Sequence, residues 1–180
     1  MGVLRYLAGT VGVVLHYDRG AGGLTGWCDS DYAGCPDTRR SVSAHVFVHA
    51  GGAVAWSSKL QATVACSTAE AEYLSAAAAA KEASWLRHTA AAMGIACPAP
   101  LVLRCDNQAA LQLAHAEGIP TRTKHIGVAA HYVRDCLLAH RVLQVSYVST
   151  HENAADFLTK AVPINKNRWC ARTVGLRGGI

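Results

Sequence analysis

Residues 67–93, STAEAEYLSAAAAAKEASWLRHTAAAM, decide how the rest of the chain is read. The run is alanine-rich, holds no Gly or Pro and stops at Gly94, so it predicts one long helix from Thr68 to Met93. Everything before it alternates instead. Leu24–Asp31 reads as a strand with Trp27, Asp29 and Asp31 on one face. Ser41–His49 and Ala53–Ser58 follow as two strands joined by Gly51-Gly52, a hairpin composition, and Gln61–Cys66 reads as a further strand. Beyond the helix, Pro98 and Pro100 punctuate a loop. Then come a short buried strand (Leu101–Cys105), helices at Asn107–Ala116 and His125–His140, a strand at Val142–Val148 and a helix at Asn153–Ala161. Met1–Thr10 reads as the end of a short helix, and the stretch after Pro163 carries little pattern and is expected to be poorly ordered. An antiparallel meander followed by helix, strand, helix, helix, strand, helix predicts an α/β fold with a mixed sheet and helices on its faces.

Composition narrows the class without naming a function. At 180 residues and 51% hydrophobic, the chain can bury a core as one domain, and 16% charged residues exclude a solvated tail or coiled coil. A net charge of +5 suits a polyanionic partner but does not require one. The seven cysteines are odd in number and form no CxxC, so free thiols in a reducing compartment are expected, not a disulfide framework or a zinc site. His45 and His49 lie four apart in a β-patterned run, where that spacing makes no helical zinc pair. No run of 18 apolar residues occurs, and Met1–Leu15 lacks the pattern of a signal peptide, so a soluble intracellular protein is expected.

The twelve acidic residues are few enough to be placed one at a time. Asp29 sits in an apolar strand, where a buried carboxylate needs a partner; a solvent-facing strand end beside Asp31 is the alternative. In the long helix, Glu70 and Glu72 are about 200° apart. From Glu72, steps of four and three reach Ala76, Ala79, Ala83, Leu86, Ala90 and Met93, an apolar stripe. From Glu70 the same walk meets Leu74, Ala77, Lys81, Ser84 and His88, a wetter face, and Ser67-Thr-Ala-Glu70 matches a capping box. Glu70 thus has a structural task, whereas Glu72 is an acid at the head of a core-facing stripe. Asp106 ends a buried strand, where α/β sites gather, yet an Asp before a helix also reads as a cap. Asp156, in Asn153-Ala-Ala-Asp156, has the same double reading. Several carboxylates converging from different elements would suit hard divalent cations acting on a phosphodiester.

Certain strings are characteristic of a known family. Gly26-Trp-Cys-Asp29-Ser-Asp31-Tyr-Ala-Gly34, Ala55-Trp-Ser-Ser-Lys59 with Gln61, and Ser67-Thr-Ala-Glu-Ala-Glu72-Tyr resemble the ribonuclease H region of copia-type retrotransposon polyproteins. The likeness continues through Cys105-Asp106-Asn-Gln108, Thr123-Lys-His-Ile126 and Ala155-Asp156-Phe-Leu-Thr-Lys160, and Leu4-Arg-Tyr-Leu-Ala-Gly-Thr10 looks like the lead-in from the reverse transcriptase. The resemblance implies a ribonuclease H-like fold with a mixed five-stranded sheet, over residues 21–162, preceded by a linker (1–20) and followed by a tail (163–180). It further implies that Asp29, Glu72, Asp106 and Asp156 hold two Mg²⁺ ions, with Mn²⁺ able to substitute. One ion would activate the attacking water and the other stabilise the departing 3′ oxygen, with no small-molecule cofactor. The implied partners are an RNA–DNA hybrid and the reverse transcriptase domain of the same polyprotein, in a virus-like particle or the nucleus, with no membrane.

Arg39, Arg40, Lys59, Gln108, Lys124 and His125 are candidate contacts to the hybrid, read through its shape, phosphates and 2′-OH groups. His151, five residues before Asp156, is a candidate assistant or a plain loop histidine. Two other readings compete: a catalytically silent remnant or reused nucleic-acid-binding module, and an integrase or transposase with a three-acid site. In the latter the Glu comes last, whereas here it comes second.

Overall fold

The computed structural model describes residues 2–18, 22–95, 100–115, 132–133, 135–136 and 142–178. The helix expected at His125–His140 lies almost wholly outside these residues, as do Lys124 and His125. In chain order the elements are α1 (Gly2–Gly9), β1 (Val14–Leu15), β2 (Thr25–Asp31), β3 (Val42–His49), β4 (Gly52–Leu60), α2 (Thr68–Ala92), β5 (Leu101–Cys105) and α3 (Gln108–His115). They continue with β6 (Leu143–Tyr147), one turn of 3-10 helix (Thr150–Glu152), α4 (Asp156–Thr159), α5 (Ile164–Thr173) and β7 (Leu176–Arg177).

The main sheet has the order β4-β3-β2-β5-β6. Its first three strands are antiparallel, and β5 and β6 add in parallel. This is the mixed five-stranded sheet the motifs imply. The β3–β4 hairpin turns on Ala50 (φ 51°) and Gly51 (φ 76°), a pair of positive φ values whose twist matches that of the flanking strands. The turn therefore sits one residue earlier than Gly51-Gly52 suggested, and Gly52 opens β4.

Two layers cover the sheet. On one face, α2 lays Ala76, Ala79, Ala80 and Ala83 against Cys28, Phe47, Leu103 and Cys105, the small side chains letting the helix approach closely. On the other, Ala154, Ala155 and Val174 pack on Trp27, Val46 and Val48. Strand β2 is buried on both faces, so its alternation separates two interior surfaces and not core from solvent. Cys28, Cys105, Cys136 and Cys170 are buried free thiols. Among the described residues no helix is long and apolar enough to cross a membrane.

Three expectations need correction. Gln61–Cys66 forms no strand: β4 runs on to Leu60, and the chain then leaves the sheet edge to reach the cap of α2. Gln61 makes that crossing by donating its amide to Ser43 Oγ at 2.7 Å and to the Ala71 carbonyl at 2.9 Å. The helix expected over Asn153–Ala161 is only the single turn α4, which puts Asp156 at its first position. The stretch after Pro163 is ordered as α5 and β7, with β7 pairing antiparallel to β1 (Val14↔Arg177, Leu15↔Leu176). Its pattern is faint because α5 buries little beyond Cys170 and Ala171.

Gly26, in the middle of β2, has the Phe47 ring and Leu103 Cδ1 where a β-carbon would stand. Phe47 and Leu103 are both fully buried and have no room to retreat. The Gly26→Ala protein is expected to lose about 1–3 kcal/mol of stability to overpacking, read as a lower urea midpoint at unchanged slope.

Candidate active site

The carboxylates come together at one end of the sheet. Asp29 projects from β2, Glu72 from the first turns of α2, Asp106 from the end of β5 and Asp156 from the start of α4. Oxygens of Asp29, Asp106 and Asp156 all lie within 4.8 Å of one another. A second group, with the same mutual limit of 4.8 Å, joins Glu72 and Asp106 to the Cys105 sulfur. Asp106 belongs to both, so it links Glu72 to the other two acids. Asp29, Glu72 and Asp156 are 1%, 6% and 3% exposed.

Local structure explains why each acid points inward. Ser67 accepts the Glu70 N–H at 3.1 Å, and the Glu70 carboxylate accepts the Cys66 N–H at 2.9 Å, so Glu70 is occupied at the helix start as the capping pattern predicted. Glu72 faces the sheet, where its Oε1 accepts the Ser30 N–H at 3.2 Å. Its Oε2 is buried and makes no hydrogen bond. Ser75, one turn on, shares its hydroxyl proton between the carbonyls of Asp29 (2.7 Å) and Ala44 (3.0 Å), pinning α2 to the strand that carries Asp29. The cap of α3 is Asn107, whose Oδ1 accepts the Ala110 N–H at 2.9 Å. That leaves Asp106 free of the capping role, and its Oδ1 accepts from Asn153 Nδ2 at 3.2 Å.

Four neighbours of the acids were not singled out from the sequence. Asn153, which reads as a cap, instead donates its amide to the Cys28 carbonyl (2.9 Å) and to Asp106, while its Oδ1 accepts the Ala155 N–H at 3.1 Å. Thr159 donates its hydroxyl to Asp29 Oδ2. Lys160 Nζ lies 3.4 Å from Asp29 Oδ2 and 3.1 Å from Asp156 Oδ1. Lys166 Nζ lies 3.4 Å from Asp156 Oδ2. A sequence signal existed for Lys160, four residues after Asp156 and so on the same helical face. None existed for Lys166.

The electrostatics follow from burial against too few cations. Burial pushes Asp29 up to about 6, against the Thr159 hydroxyl and the Lys160 ammonium, with Asp156 and Asp106 adding to the rise. Burial, then Asp29, Cys105 and Asp106, drives Glu72 up to about 9. Burial opposes the charge on Lys160, but the carboxylates of Asp29 and Asp156 outweigh it and hold the ammonium up to about 12.

The remaining candidates lie at the surface. Arg39 (φ 55°) and Arg40 are exposed in the turn before β3, Lys59 is exposed near the end of edge strand β4, and Gln108 is exposed at the first position of α3. His151 is exposed in the 3-10 turn that precedes Asn153 and Asp156.

Raised carboxylate values mean that the folded protein holds protons its unfolded chain releases. That contribution to stability is complete below the ordinary carboxylate range and is lost as pH climbs through about 6 for Asp29 and about 9 for Glu72. Melting in chelator is therefore expected to fall steadily from pH 5 to 9. Glu72→Gln should remove the upper part of that fall, and a slope unaltered by the substitution would contradict the assignment.

No family model matches the chain. It is 41% identical over 174 residues to the retrovirus-related Pol polyprotein from transposon TNT 1-94 of Nicotiana tabacum, covering 97% of this chain and 13% of that protein. To the corresponding polyprotein from transposon RE1 of Arabidopsis thaliana it is 35% identical over 159 residues, covering 88% and 11%. The chain thus spans a small part of the curated relatives it matches. Among solved structures, RNase H1 from Halobacterium salinarum superposes with a TM-score of 0.55 at 18% identity, covering 77% of this chain and 95% of that one. LC11-RNase H1 in complex with an RNA/DNA hybrid gives 0.53 at 15% identity, covering 76% and 93%. At these identities the structural likeness is one of fold: the chain has a ribonuclease H-like fold, and over nearly its whole length it is similar to a segment of retrovirus-related Pol polyproteins from transposons.

Proposed function

We propose that this chain hydrolyses the RNA strand of RNA–DNA hybrids during retrotransposon reverse transcription, at a centre formed by Asp29, Glu72, Asp106 and Asp156. The observation that carries the reading is the convergence of three buried carboxylates, Asp29, Glu72 and Asp156, on the half-buried Asp106, with Glu72 Oε2 left without a hydrogen-bond partner. An interior so rich in like charge is costly unless it serves to hold cations. The donors are almost all hard carboxylate oxygens, which fits Mg²⁺ or Mn²⁺. Two such ions would lower the pKa of the attacking water and neutralise charge on the departing oxygen.

The protein's own residues set the stage for that chemistry. Asn153 orients Asp106, the Thr159 hydroxyl orients Asp29, and the Ser30 N–H orients Glu72. Lys160, 37% exposed, spans Asp29 and Asp156 and keeps part of the negative charge compensated. No serine, cysteine or histidine is needed as a nucleophile in this scheme; His151, exposed in the 3-10 turn before Asp156, is proposed as an assistant. Arg39, Arg40, Lys59 and Gln108, with Lys124 and His125, are proposed to contact phosphates and 2′-OH groups of the hybrid. The ribonuclease H-like unit is proposed as residues 21–162, with Lys166 and Val174 of the following segment packed onto it, working beside the reverse transcriptase domain of the same polyprotein in a virus-like particle or the nucleus.

The test is cleavage of an end-labelled RNA–DNA hybrid with Mg²⁺ or Mn²⁺, with and without an added reverse transcriptase domain. Asp29→Asn and Glu72→Gln are each expected to lose about 100-fold or more, the scale of several kcal/mol of charge stabilisation. Equal cutting by all three proteins would sink the site. Hybrid binding with no cutting under either condition would mark the domain as a silent binding module.

A further inference from the structure

Helix α5 reaches back to the acid cluster through one side chain. Lys166, in its first turn, is 15% exposed in its side chain and ends in an ammonium with three protons to donate. Three carbonyls receive them, Thr150 at 2.8 Å, His151 at 2.8 Å and Asn153 at 2.9 Å. These belong to the 3-10 turn and its exit, and the Thr150 carbonyl also takes the Asn153 N–H at 3.3 Å, which closes the turn. Trp169 covers the ammonium from one side at 4.6 Å to the ring centroid, and Cys170 points its sulfur at the same Asn153 carbonyl at 3.8 Å. The braced turn leads straight into two of the four acids. Asn153 carries the amide that holds Asp106, and Asp156 follows three residues later.

We infer that Lys166 is a positioning residue for the centre, fixing the 150–156 turn so that Asp156 and Asp106 face Asp29. The inference rests on the proposed metal-dependent function for its affinity readout only. Two roles for this lysine can be told apart because they act in opposite directions. Its ammonium lies 3.4 Å from Asp156 Oδ2, farther than from any of the three neutral carbonyls. If it acted chiefly as a competing charge, removing it would tighten cation binding. If it braces the turn, removing it loosens the ligand geometry and weakens binding, and changes behind metal ligands typically cost roughly 10–100-fold in affinity.

The experiment compares wild type with Lys166→Met, Lys166→Gln and Lys166→Arg by two measurements. Mn²⁺ affinity is read from the electron paramagnetic resonance of the free ion, and amide hydrogen exchange over residues 149–157 is followed in chelator. For Lys166→Met we expect about tenfold weaker Mn²⁺ binding and faster exchange confined to that segment, with β2 and β3 unchanged. Lys166→Arg, which restores donors and charge, should stay within about threefold of wild type on the same scale. Unchanged or tighter Mn²⁺ binding in folded Lys166→Met, or unaltered exchange at 149–157, would overturn the inference. Should Lys166→Met fail to fold, Lys166→Gln decides by the same two outcomes, keeping a donor amide without the charge. If wild type itself takes up no Mn²⁺, the metal reading fails, while the exchange measurement still judges the brace.

Discussion

Like charge confined in a dry space is the constraint around which this molecule is arranged. Buried carboxylates from β2, α2 and the start of α4 crowd against a half-buried one at the end of β5. Among the described residues two lysines reach them, and one carboxylate oxygen of Glu72 is buried without any hydrogen bond. Such a cluster persists only if the surrounding elements over-determine it. The surrounding contacts do this: Ser75 ties α2 to the backbone of two strands, and Asn153 spans three separate segments with one amide. The apolar layers on both sheet faces hold those elements in register. Stability is thus concentrated around a centre that by itself opposes folding, a familiar division between scaffold and site.

Periodicity was the part of this fold most open to reading. The near part of the stripe headed by Glu72 (Ala76, Ala79, Ala83) meets the sheet, whereas its far end at Met93 is exposed; Glu70 is as buried as Glu72, and the capping pattern is what separates the two. Strand identity in β2, β3 and β5 followed from apolar runs and turn residues in the same way. What resisted reading was held together by polar and backbone interactions. Asn153 looks like a cap in the sequence because Asn so often is one, and nothing local discloses that its partners are the Cys28 carbonyl and Asp106, far away along the chain. Lys166 resisted for the same reason, since three carbonyl contacts leave no trace in composition. The Gln61–Cys66 stretch resembles a strand because its task, crossing from sheet edge to helix cap, is performed by one glutamine side chain.

The buried side of α2 beyond its first two turns is alanine (Ala76, Ala77, Ala79, Ala80 and Ala83), and this has a mechanical meaning. Larger side chains would hold α2 away from the sheet and carry Glu72 with it. Small ones bring the backbones close, so that Glu72 can take a main-chain N–H of β2 and Ser75 can reach two strand carbonyls. The closeness of packing and the position of a charged group are thus the same fact viewed at two scales. Volume changes deep in that interface would be transmitted to the acids without touching them.

Strand β1 pairs with strand β7, and these short strands lie near opposite ends of the described chain. Entry and exit therefore share one corner of the molecule, like the two wires of a plug. A pull on one of these strands is therefore borne first by its partner, before it reaches the main sheet. The pair works as a clasp, holding the segments on either side of the main sheet to each other as well as to the core.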